Sequence, residues 1–264
     1  MSSCSDDAKS GVAVTESLPI LGIPVTLFDS YQDAARLIHE SLNSNRRTVC
    51  LAINPAKIYH ANRDANLKRV LHEAQVHICD GAGVAVAAMI LHRRRIRRCT
   101  GVELFRRLVA IGAQEQWKIF LLGASPESNA GARSRLLREH PGVRIVGSRD
   151  GYFKDSNEVV AAINESGADM LFVAMGSPRQ ELWIDEHLPK LHVRFCMGVG
   201  GSFDVLSGAA RRAPVICQKT GTEWLYRVLL QPSRLPRVVT NGLFVLDVLK
   251  AAFAGHERQL ITSG

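Results

Sequence analysis

The sequence lacks the features that define several large protein classes. No apolar stretch reaches the roughly 18 residues that a membrane-spanning helix needs, and Gly242–Gly255 is interrupted by Asp247 and Lys250. No G-x-x-x-x-G-K-[S/T] loop is present, which excludes a P-loop NTPase. No Asp-x-Asp pair occurs, so the usual carboxylate ligands of a metal–nucleotide complex are missing. We therefore expect no membrane span, and no resident metal in any nucleotide chemistry.

Cysteine and histidine also lack the spacing of metal or redox motifs. The six cysteines are scattered, with no C-x-x-C and no short Cys/His pairing. His60, His72 and His77 have no metal-ligand spacing, and we interpret them as structural. A chain of 264 residues can bury a core without disulfide or metal staples. Scattered cysteines in such a chain indicate reduced thiols and a cytoplasmic location.

Acidic residues are in the minority. The 33 Lys and Arg residues outnumber 25 Asp and Glu residues, for a formal net charge of +8. Such a surplus favours an anionic partner, which is a nucleic acid, a phosphate-bearing substrate or an acidic membrane. Five arginines fall between positions 93 and 98 without aromatic platforms or a recognition motif nearby. We interpret them as a solvated face and expect no nucleic-acid partner, since that function would rest on net charge alone.

Strand-length apolar runs alternate with helical patterns through most of the chain. The strands are predicted at Thr48–Ile53, Val76–Cys79, Lys118–Leu122, Arg144–Gly147, Met170–Met175 and Arg194–Met197. The helices are predicted at Asn66–Glu73, Gly101–Glu115, Glu127–Glu139, Ser156–Ser166 and Arg179–Leu188. This alternation is typical of an α/β protein with a parallel sheet, which binds its ligands beyond the carboxyl ends of the strands.

Three parts of the chain differ in composition. Residues 1–17 are small and polar, and we expect a loose tail. Residues 18–210 carry the α/β alternation and form the predicted catalytic domain. In the remaining segment, residues 211–264, the first part up to residue 237 has six basic residues and one acid, and an apolar helix follows at Val238–Phe253. This C-terminal appendage is basic and amphipathic, which suits an anionic membrane surface or an acidic substrate.

The segments that follow the predicted strands are rich in Gly, Ser, Asp and Asn. They are Asn54-Pro55, Asp80-Gly81-Ala82-Gly83, Gly123–Glu127, Gly176–Glu181 and Gly198–Asp204. Backbone N–H groups and helix N-termini in such segments can bind an anion. Asp80 is either a carboxylate in the crevice or a turn residue that caps the next helix. Gly198-x-Gly200-Gly201 is not G-x-G-x-x-G, and no acid on a following strand supports NAD, so a dehydrogenase is disfavoured.

Several short blocks, taken together and in order, point to one family. They are Asn54, Cys79–Val84, Arg98 with Thr100–Leu104, Gly123, Asp150–Phe153, Met175–Glu181, Met197–Val205, Arg212–Pro214, Glu223–Arg227, Gln231–Arg234 and Arg237. This combination resembles the WecG/TagA/CpsF family of bacterial glycosyltransferases, glycosyltransferase family 26. The resemblance spans about Leu18 to Arg237, and the co-occurrence of the blocks is far more specific than any one of them.

The resemblance implies a fold and an activity. The fold is a Rossmann-like α/β domain with a parallel sheet, helices on both faces, and a C-terminal appendage that completes the site and touches the membrane. The activity is inverting transfer of a sugar from a UDP donor to an undecaprenyl-diphosphate-linked sugar at the inner face of the cell membrane, in surface polysaccharide synthesis. The resemblance also implies a reaction without a metal cofactor, in agreement with the missing Asp-x-Asp pair, and it allows a homo-oligomer.

The resemblance assigns roles residue by residue. Asp80 is the candidate general base that takes the proton from the acceptor hydroxyl, and Gln180 and Asn54 would position sugar hydroxyls. The implied neighbours of the donor nucleotide are Gly123, Tyr152 and Asp204. The other implied substrate contacts are Arg98, Thr100 and Glu181. The implied ligands of a diphosphate are Arg227, Arg234 and Arg237, whose guanidinium groups can bind it bidentately. The alternative for these three arginines is attraction to a membrane surface only.

The resemblance leaves the donor sugar open. Gly147–Phe153 and Met197–Arg237 look most like the branch that transfers N-acetylmannosaminuronic acid to lipid-linked N-acetylglucosamine. Other branches transfer N-acetylmannosamine or, in xanthan-type exopolysaccharide synthesis, glucose. The chain has Ala52 where many relatives have Thr, and Thr222 where Leu is usual. The alternative of another class is a non-catalytic UDP-sugar binder that docks on membranes, and Asp80→Asn would separate the two because it should abolish turnover only.

Overall fold

The computed structural model describes residues 16–44, 46–210, 217 and 235–262, without the side chains of residues 235, 237 and 255–262. The predicted tail, residues 1–17, lies outside this description apart from its last two residues, and Ser17 already begins strand β1 (Ser17–Ile20). Residues 211–216 and 218–234 of the predicted appendage also lie outside it.

Six parallel strands form the central sheet and confirm the predicted Rossmann-like α/β class. They are β3 (Thr48–Ile53), β4 (Val76–Cys79), β5 (Lys118–Gly123), β6 (Arg144–Arg149), β7 (Met170–Ala174) and β8 (Phe195–Gly198). Their order across the sheet is β4-β3-β8-β7-β5-β6. Because neighbouring strands are parallel, all the carboxyl ends lie at one edge of the sheet. That edge is where such folds bind ligands.

Helices cover both faces of this sheet. They are α1 (Tyr31–Asn43), α2 (Pro55–Ala61), α3 (Ala65–Glu73), α4 (Ala82–His92), α5 (Gly101–Gln114), α6 (Pro126–Glu139), α7 (Ser156–Glu165), α8 (Arg179–His187), α9 (Ser202–Ser207) and α10 (Leu235–Thr262). Side chains alternate along a strand, so in β3 Leu51 and Ile53 join one buried core whereas Cys50 and Ala52 join the other. Every strand of the sheet except the edge strand β6 is buried on both faces, which explains the continuous apolar sequences of those five.

Four helices have no counterpart among the sequence predictions. Helix α4 is apolar on almost every side, so its sequence shows no amphipathic period. Helices α2 and α9 have only seven and six residues, too few for a clear period. Helix α1 does carry readable signals, because Ser30 caps its N-terminus and Ile38 and Leu42 lie on its buried face.

A β-hairpin precedes the sheet and was also not predicted. Strand β1 pairs antiparallel with β2 (Ile23–Thr26) through a two-residue turn at Leu21 and Gly22, both with positive φ, as the tight turns of β-hairpins require. The hairpin lies against the edge strand β4, where Thr26 Oγ1 accepts a hydrogen bond from the backbone N–H of His77 at 2.9 Å. It therefore covers an edge of the sheet that would otherwise be open to pairing.

Helix α10 packs against the α/β domain. Phe244 and Val248 are buried on the same face of the sheet as helices α2 and α4, and Arg63 forms an ion pair with Asp247 at 3.0 Å. The helix is longer than the predicted Val238–Phe253 at both ends. Among the described residues, no helix combines the length and apolar composition that crossing a bilayer requires.

Candidate functional site

The predicted site residues that follow strands lie along the carboxyl edge of the sheet. Strand β4 leads into Asp80 and its neighbour β3 leads into Asn54. The backbone N–H of Asp80 donates to the Ile53 carbonyl at 2.8 Å, which fixes the two strand ends beside each other. Asp80 and Asn54 are therefore brought together although 26 positions separate them in the sequence.

Asn54 caps a helix at the end of β3. It is the N-cap of helix α2, and its side-chain Oδ1 accepts a hydrogen bond from the backbone N–H of Lys57 at 2.9 Å. Pro55 occupies the first position of the helix, where its fixed φ is favourable. Because Oδ1 is engaged in the cap, the Asn54 side chain presents its Nδ2 amide as the group that can donate to a sugar oxygen.

Asp80 lies between the end of β4 and the start of α4. The N-cap of α4 is Gly81, with φ near 117°, so Asp80 does not hold the capping position. Gly83 and Gly101 lie in the first turns of the two helices next to it. A Cβ on Gly83 would lie 2.7 Å from Cγ of Pro55, and a Cβ on Gly101 would lie 4.0 Å from Oδ2 of Asp80. Glycine at position 83 thus lets the first turn of α4 approach Pro55, while the start of α5 at Gly101 lies within van der Waals distance of the Asp80 carboxylate.

Buried thiols surround this carboxylate. Burial, with a smaller contribution from the charge of Asp80, raises the pKa of Cys79 to about 12, although the charge of Arg98 acts to lower it. Burial, together with the charge of Asp80, likewise raises the pKa of Cys99 to about 12. Both thiols therefore stay protonated at neutral pH and are not nucleophiles. Since Asp80 and Arg98 both act on Cys79, the predicted base and the predicted substrate-binding arginine lie near the same buried residue.

Thr100 is held by a residue that sequence reasoning missed. It is the N-cap of α5, its backbone N–H donates to the Tyr31 hydroxyl at 3.0 Å, and its Oγ1 shares a further hydrogen bond with that hydroxyl at 3.1 Å. Tyr31 comes from the first turn of α1. The pairing spans 69 positions, so no local pattern in the sequence could reveal it.

A buried polar network links Gln180 and Glu181 to helix α2. Glu181 is 0% exposed and Lys57 is 3% exposed, and Lys57 Nζ lies 2.7 Å from Oε1 of Glu181. The same Oε1 accepts a hydrogen bond from Nε2 of Gln180 at 2.8 Å. Oε1 of Gln180 in turn accepts from the backbone N–H of Gly200 at 2.9 Å. Three segments that follow β3, β7 and β8 are therefore joined just below the edge of the sheet.

Two of the predicted nucleotide neighbours, Gly123 and Tyr152, follow the strands β5 and β6 at the other half of the edge, whereas the third, Asp204, follows β8 next to β3. Gly123 has a φ near 113°, and a Cβ there would lie 2.5 Å from the Ala174 carbonyl oxygen, so only glycine fits. Helix α6 begins directly after it, capped by Ser125. Tyr152, after β6, is 77% exposed. Asp204 lies in the first turn of α9, after β8.

Some of the remaining predicted site residues lie in the described part of the chain and others lie outside it. Arg98 is half-buried in the segment before α5. Arg227 and Arg234 lie outside the described residues, and Arg237 lies in helix α10 with a side chain outside the description. Among the described residues, no group of three His, Cys, Asp or Glu side chains is arranged to hold a metal ion. The roles predicted for all these residues, and metal independence, stay predictions.

A parallel sheet with glycine-rich loops, helix N-termini and an aspartate at its carboxyl edge defines a Rossmann-like protein with a ligand site at that edge. The model of the family described as "Glycosyl transferase WecG/TagA/CpsF family" matches residues 18–258. The chain belongs to this family and is a glycosyltransferase, which confirms the resemblance drawn from the sequence.

Two relatives share the name N-acetylglucosaminyldiphosphoundecaprenol N-acetyl-beta-D-mannosaminyltransferase. The relative from Bacillus spizizenii is 34% identical over 217 residues, covering 82% of each chain. The relative from Bacillus subtilis is 33% identical over 202 residues, covering 76% of this chain and 79% of its own.

Proposed function

We propose that the protein transfers an N-acetylmannosamine-type sugar from a UDP donor to an undecaprenyl-diphosphate-linked sugar, with inversion, in surface polysaccharide synthesis. The names of the two relatives support the mannosaminyl donor and the lipid-diphosphate acceptor. The observation that carries the chemistry is the pairing of Asp80 with Asn54 at adjacent strand ends. N-acetylmannosaminuronic acid and N-acetylmannosamine are the two donor sugars to compare.

Asp80 is the general base of this proposal. Its carboxylate takes the proton from the acceptor hydroxyl as the hydroxyl oxygen attacks the anomeric carbon, and the bond from that carbon to the UDP oxygen breaks. Asn54 Nδ2 donates to a sugar oxygen next to the base, and Gln180 positions a second one. Holding donor and acceptor in line in this way makes the reaction effectively unimolecular.

The donor nucleotide lies along the segments after β5 and β6. The N-terminus of α6 offers backbone N–H groups to a phosphate. Tyr152 offers an exposed ring beside it, suited to stacking on uracil. The negative charge that develops on the departing UDP is stabilised by backbone dipoles and by arginines, with Arg98 among the described residues and Arg227 beyond them, so no metal is needed.

A membrane surface is the proposed location of the acceptor. Helix α10 has a row of exposed apolar side chains opposite its buried Phe244 and Val248. The row consists of Val239, Leu243, Leu246, Leu249 and Phe253. Helix α4, which packs against α10, exposes Val86, Met89 and Ile90 and leads into Arg93 and Arg95, both exposed. Apolar faces beside cationic side chains suit the anionic inner face of the cell membrane, where the protein binds peripherally.

The deciding experiment measures UDP release in the presence of EDTA. The donors are UDP-N-acetylmannosaminuronic acid, UDP-N-acetylmannosamine and UDP-glucose, and the acceptor is an N-acetylglucosamine linked to a lipid diphosphate. We expect turnover with one mannosaminyl donor and a loss of about 10²–10⁴-fold in Asp80→Asn. The matched control is Asp64→Asn, which alters the exposed N-cap of α3, and it should retain activity.

The other outcomes are equally informative. UDP binding without turnover on any donor would indicate the non-catalytic UDP-sugar binder. Turnover with UDP-glucose alone would indicate the exopolysaccharide branch. Absence of UDP binding would refute the proposal.

For the membrane surface, flotation with anionic vesicles should fall in Leu246→Glu/Phe253→Glu. Unchanged flotation would contradict this docking surface, and loss of a self-associated form in that variant would assign the apolar row to a second copy of the chain.

A further inference from the structure

We infer that the buried ion pair of Lys57 and Glu181 positions Gln180 for the transfer reaction, and ties it to the helix that Asn54 caps, without touching either sugar. The inference rests on the proposed function, because that proposal places Asn54 and Gln180 against the substrates. Both charged side chains are nearly or fully buried, at 3% and 0% exposure, and their atoms lie 2.7 Å apart. Gln180 is 3% exposed as well. Both printed contacts of the Glu181 carboxylate, with Lys57 and with Gln180, lie inside the protein, so we place its effect on the reaction in the orientation of the Gln180 amide.

The side chains of the pair are bonded to one predicted substrate-positioning amide, Gln180, and the other, Asn54, caps the helix that carries Lys57. At one end, the backbone N–H of Lys57 donates to Oδ1 of Asn54 at 2.9 Å. At the other end, Oε1 of Glu181 accepts from Nε2 of Gln180 at 2.8 Å. Lys57 belongs to the helix after β3 and Glu181 to the helix after β7, and in the sheet β8 runs between these two strands. The ion pair therefore ties together the two segments on either side of the central strand β8.

The carboxylate determines which way the Gln180 amide points. A carboxylate only accepts hydrogen bonds, so it must face the Nε2 end of the amide. The backbone N–H of Gly200 only donates, so it must face the Oε1 end. A rotation of the amide by half a turn would oppose oxygen to oxygen and N–H to N–H. The two contacts therefore fix the orientation of the Gln180 amide, including the directions of its second Nε2 hydrogen and its second Oε1 lone pair.

Packing against the end of strand β8 also restricts the Gln180 amide. A Cβ at Gly198 would lie 2.6 Å from Nε2 of Gln180, so a larger residue at the end of β8 would displace the Gln180 amide. Apolar side chains of similar volume would stabilise a buried region as well as an ion pair does. An ion pair at this position is therefore accounted for by the orientation that it gives to Gln180 and by the link that it makes between helices α2 and α8.

The test compares two double variants that both remove the buried charges. Lys57→Met/Glu181→Gln keeps an oxygen at position 181 that accepts from Gln180, whereas Lys57→Met/Glu181→Leu leaves no acceptor. We expect kcat per folded molecule to fall about 10- to 100-fold in the Leu variant. The Gln variant should recover most of that loss, and KM for the UDP-sugar should stay within about threefold in both. The folded fraction is measured by UDP binding stoichiometry and thermal midpoint.

The outcomes separate the inference from its alternatives. Equal kcat values in the two folded double variants would overturn it, since a purely structural pair would affect them equally. A rise of KM with unchanged kcat would also overturn it, because it would place Glu181 against the substrate. If the Leu variant does not fold, Gly198→Ala tests the same amide by displacing Gln180, and wild-type kcat there would refute the role of its orientation. Failure of the proposed function itself would show as no turnover by the wild-type chain.

Discussion

Replacing Lys57 by Met should destabilise the protein strongly. The variant leaves the carboxylate of Glu181 at 0% exposure with Gln180 as its remaining donor at Oε1. The other oxygen, Oε2, is buried without a hydrogen-bond partner among the described residues, so nothing else compensates the charge. Removing one partner of a buried ion pair costs about 3–5 kcal/mol, and we expect the free energy of unfolding to fall by that amount. The measurement is urea unfolding followed by tryptophan fluorescence, for which Trp183 in α8 is a nearby probe.

Two comparisons make this stability prediction decisive. In Lys57→Met/Glu181→Leu both charges are gone, so most of the loss should be recovered. In Arg36→Met, which breaks an exposed ion pair with Asp33, the loss should stay below about 1 kcal/mol. A loss in Lys57→Met as small as that of the Arg36 control, or a double variant less stable than the single one, would refute the reasoning from burial.

Three further predictions concern the ends of the strands and the edge of the sheet. Gly123→Ala should lower stability and UDP affinity more than Gly176→Ala, because both positions have positive φ but only the first would place Cβ against backbone, 2.5 Å from the Ala174 carbonyl. Equal losses in unfolding and UDP titrations would contradict this. Tyr31→Phe removes the acceptor of the Thr100 N–H and should reduce kcat/KM several-fold, with a melting point within a few degrees of wild type. Burial lowers the pKa of His77, so the unfolded chain binds the proton more tightly. Stability should therefore fall as the pH drops through about 6.5, and His77→Gln should flatten that decline in urea midpoints measured across it.

The strands of the central sheet and the amphipathic helices between them were predictable from the sequence. The predicted bounds of β3 and β4 agree with the structure at both ends, because buried parallel strands are short, continuous apolar runs between turn residues. Helix α4 was not predicted because it is apolar on almost every side. Without a polar face, its sequence shows no helical period. The hairpin of β1 and β2 was not predicted because four-residue strands are too short to show alternation clearly.

The candidate site was predictable where a polar residue with a possible catalytic role follows directly after a strand. Asp80 and Asn54 each come directly after an apolar run, and a parallel sheet places such residues at one edge. Tyr31 was not predictable, since it reaches Thr100 across 69 positions through the packing of α1 on the sheet.

The pairing of Lys57 with Glu181 was decided by the tertiary structure alone. In the sequence, Lys57 reads as one more lysine in a short helix, and Glu181 reads as a polar residue after a strand and is implied by resemblance to contact substrate. The two lie 124 positions apart. They meet because the order β3-β8-β7 leaves one strand between their helices. In addition, a buried lysine loses its hydration and is stable as a cation only beside a carboxylate. Strand order is set by the packing of the whole chain, so no local pattern could have shown this contact.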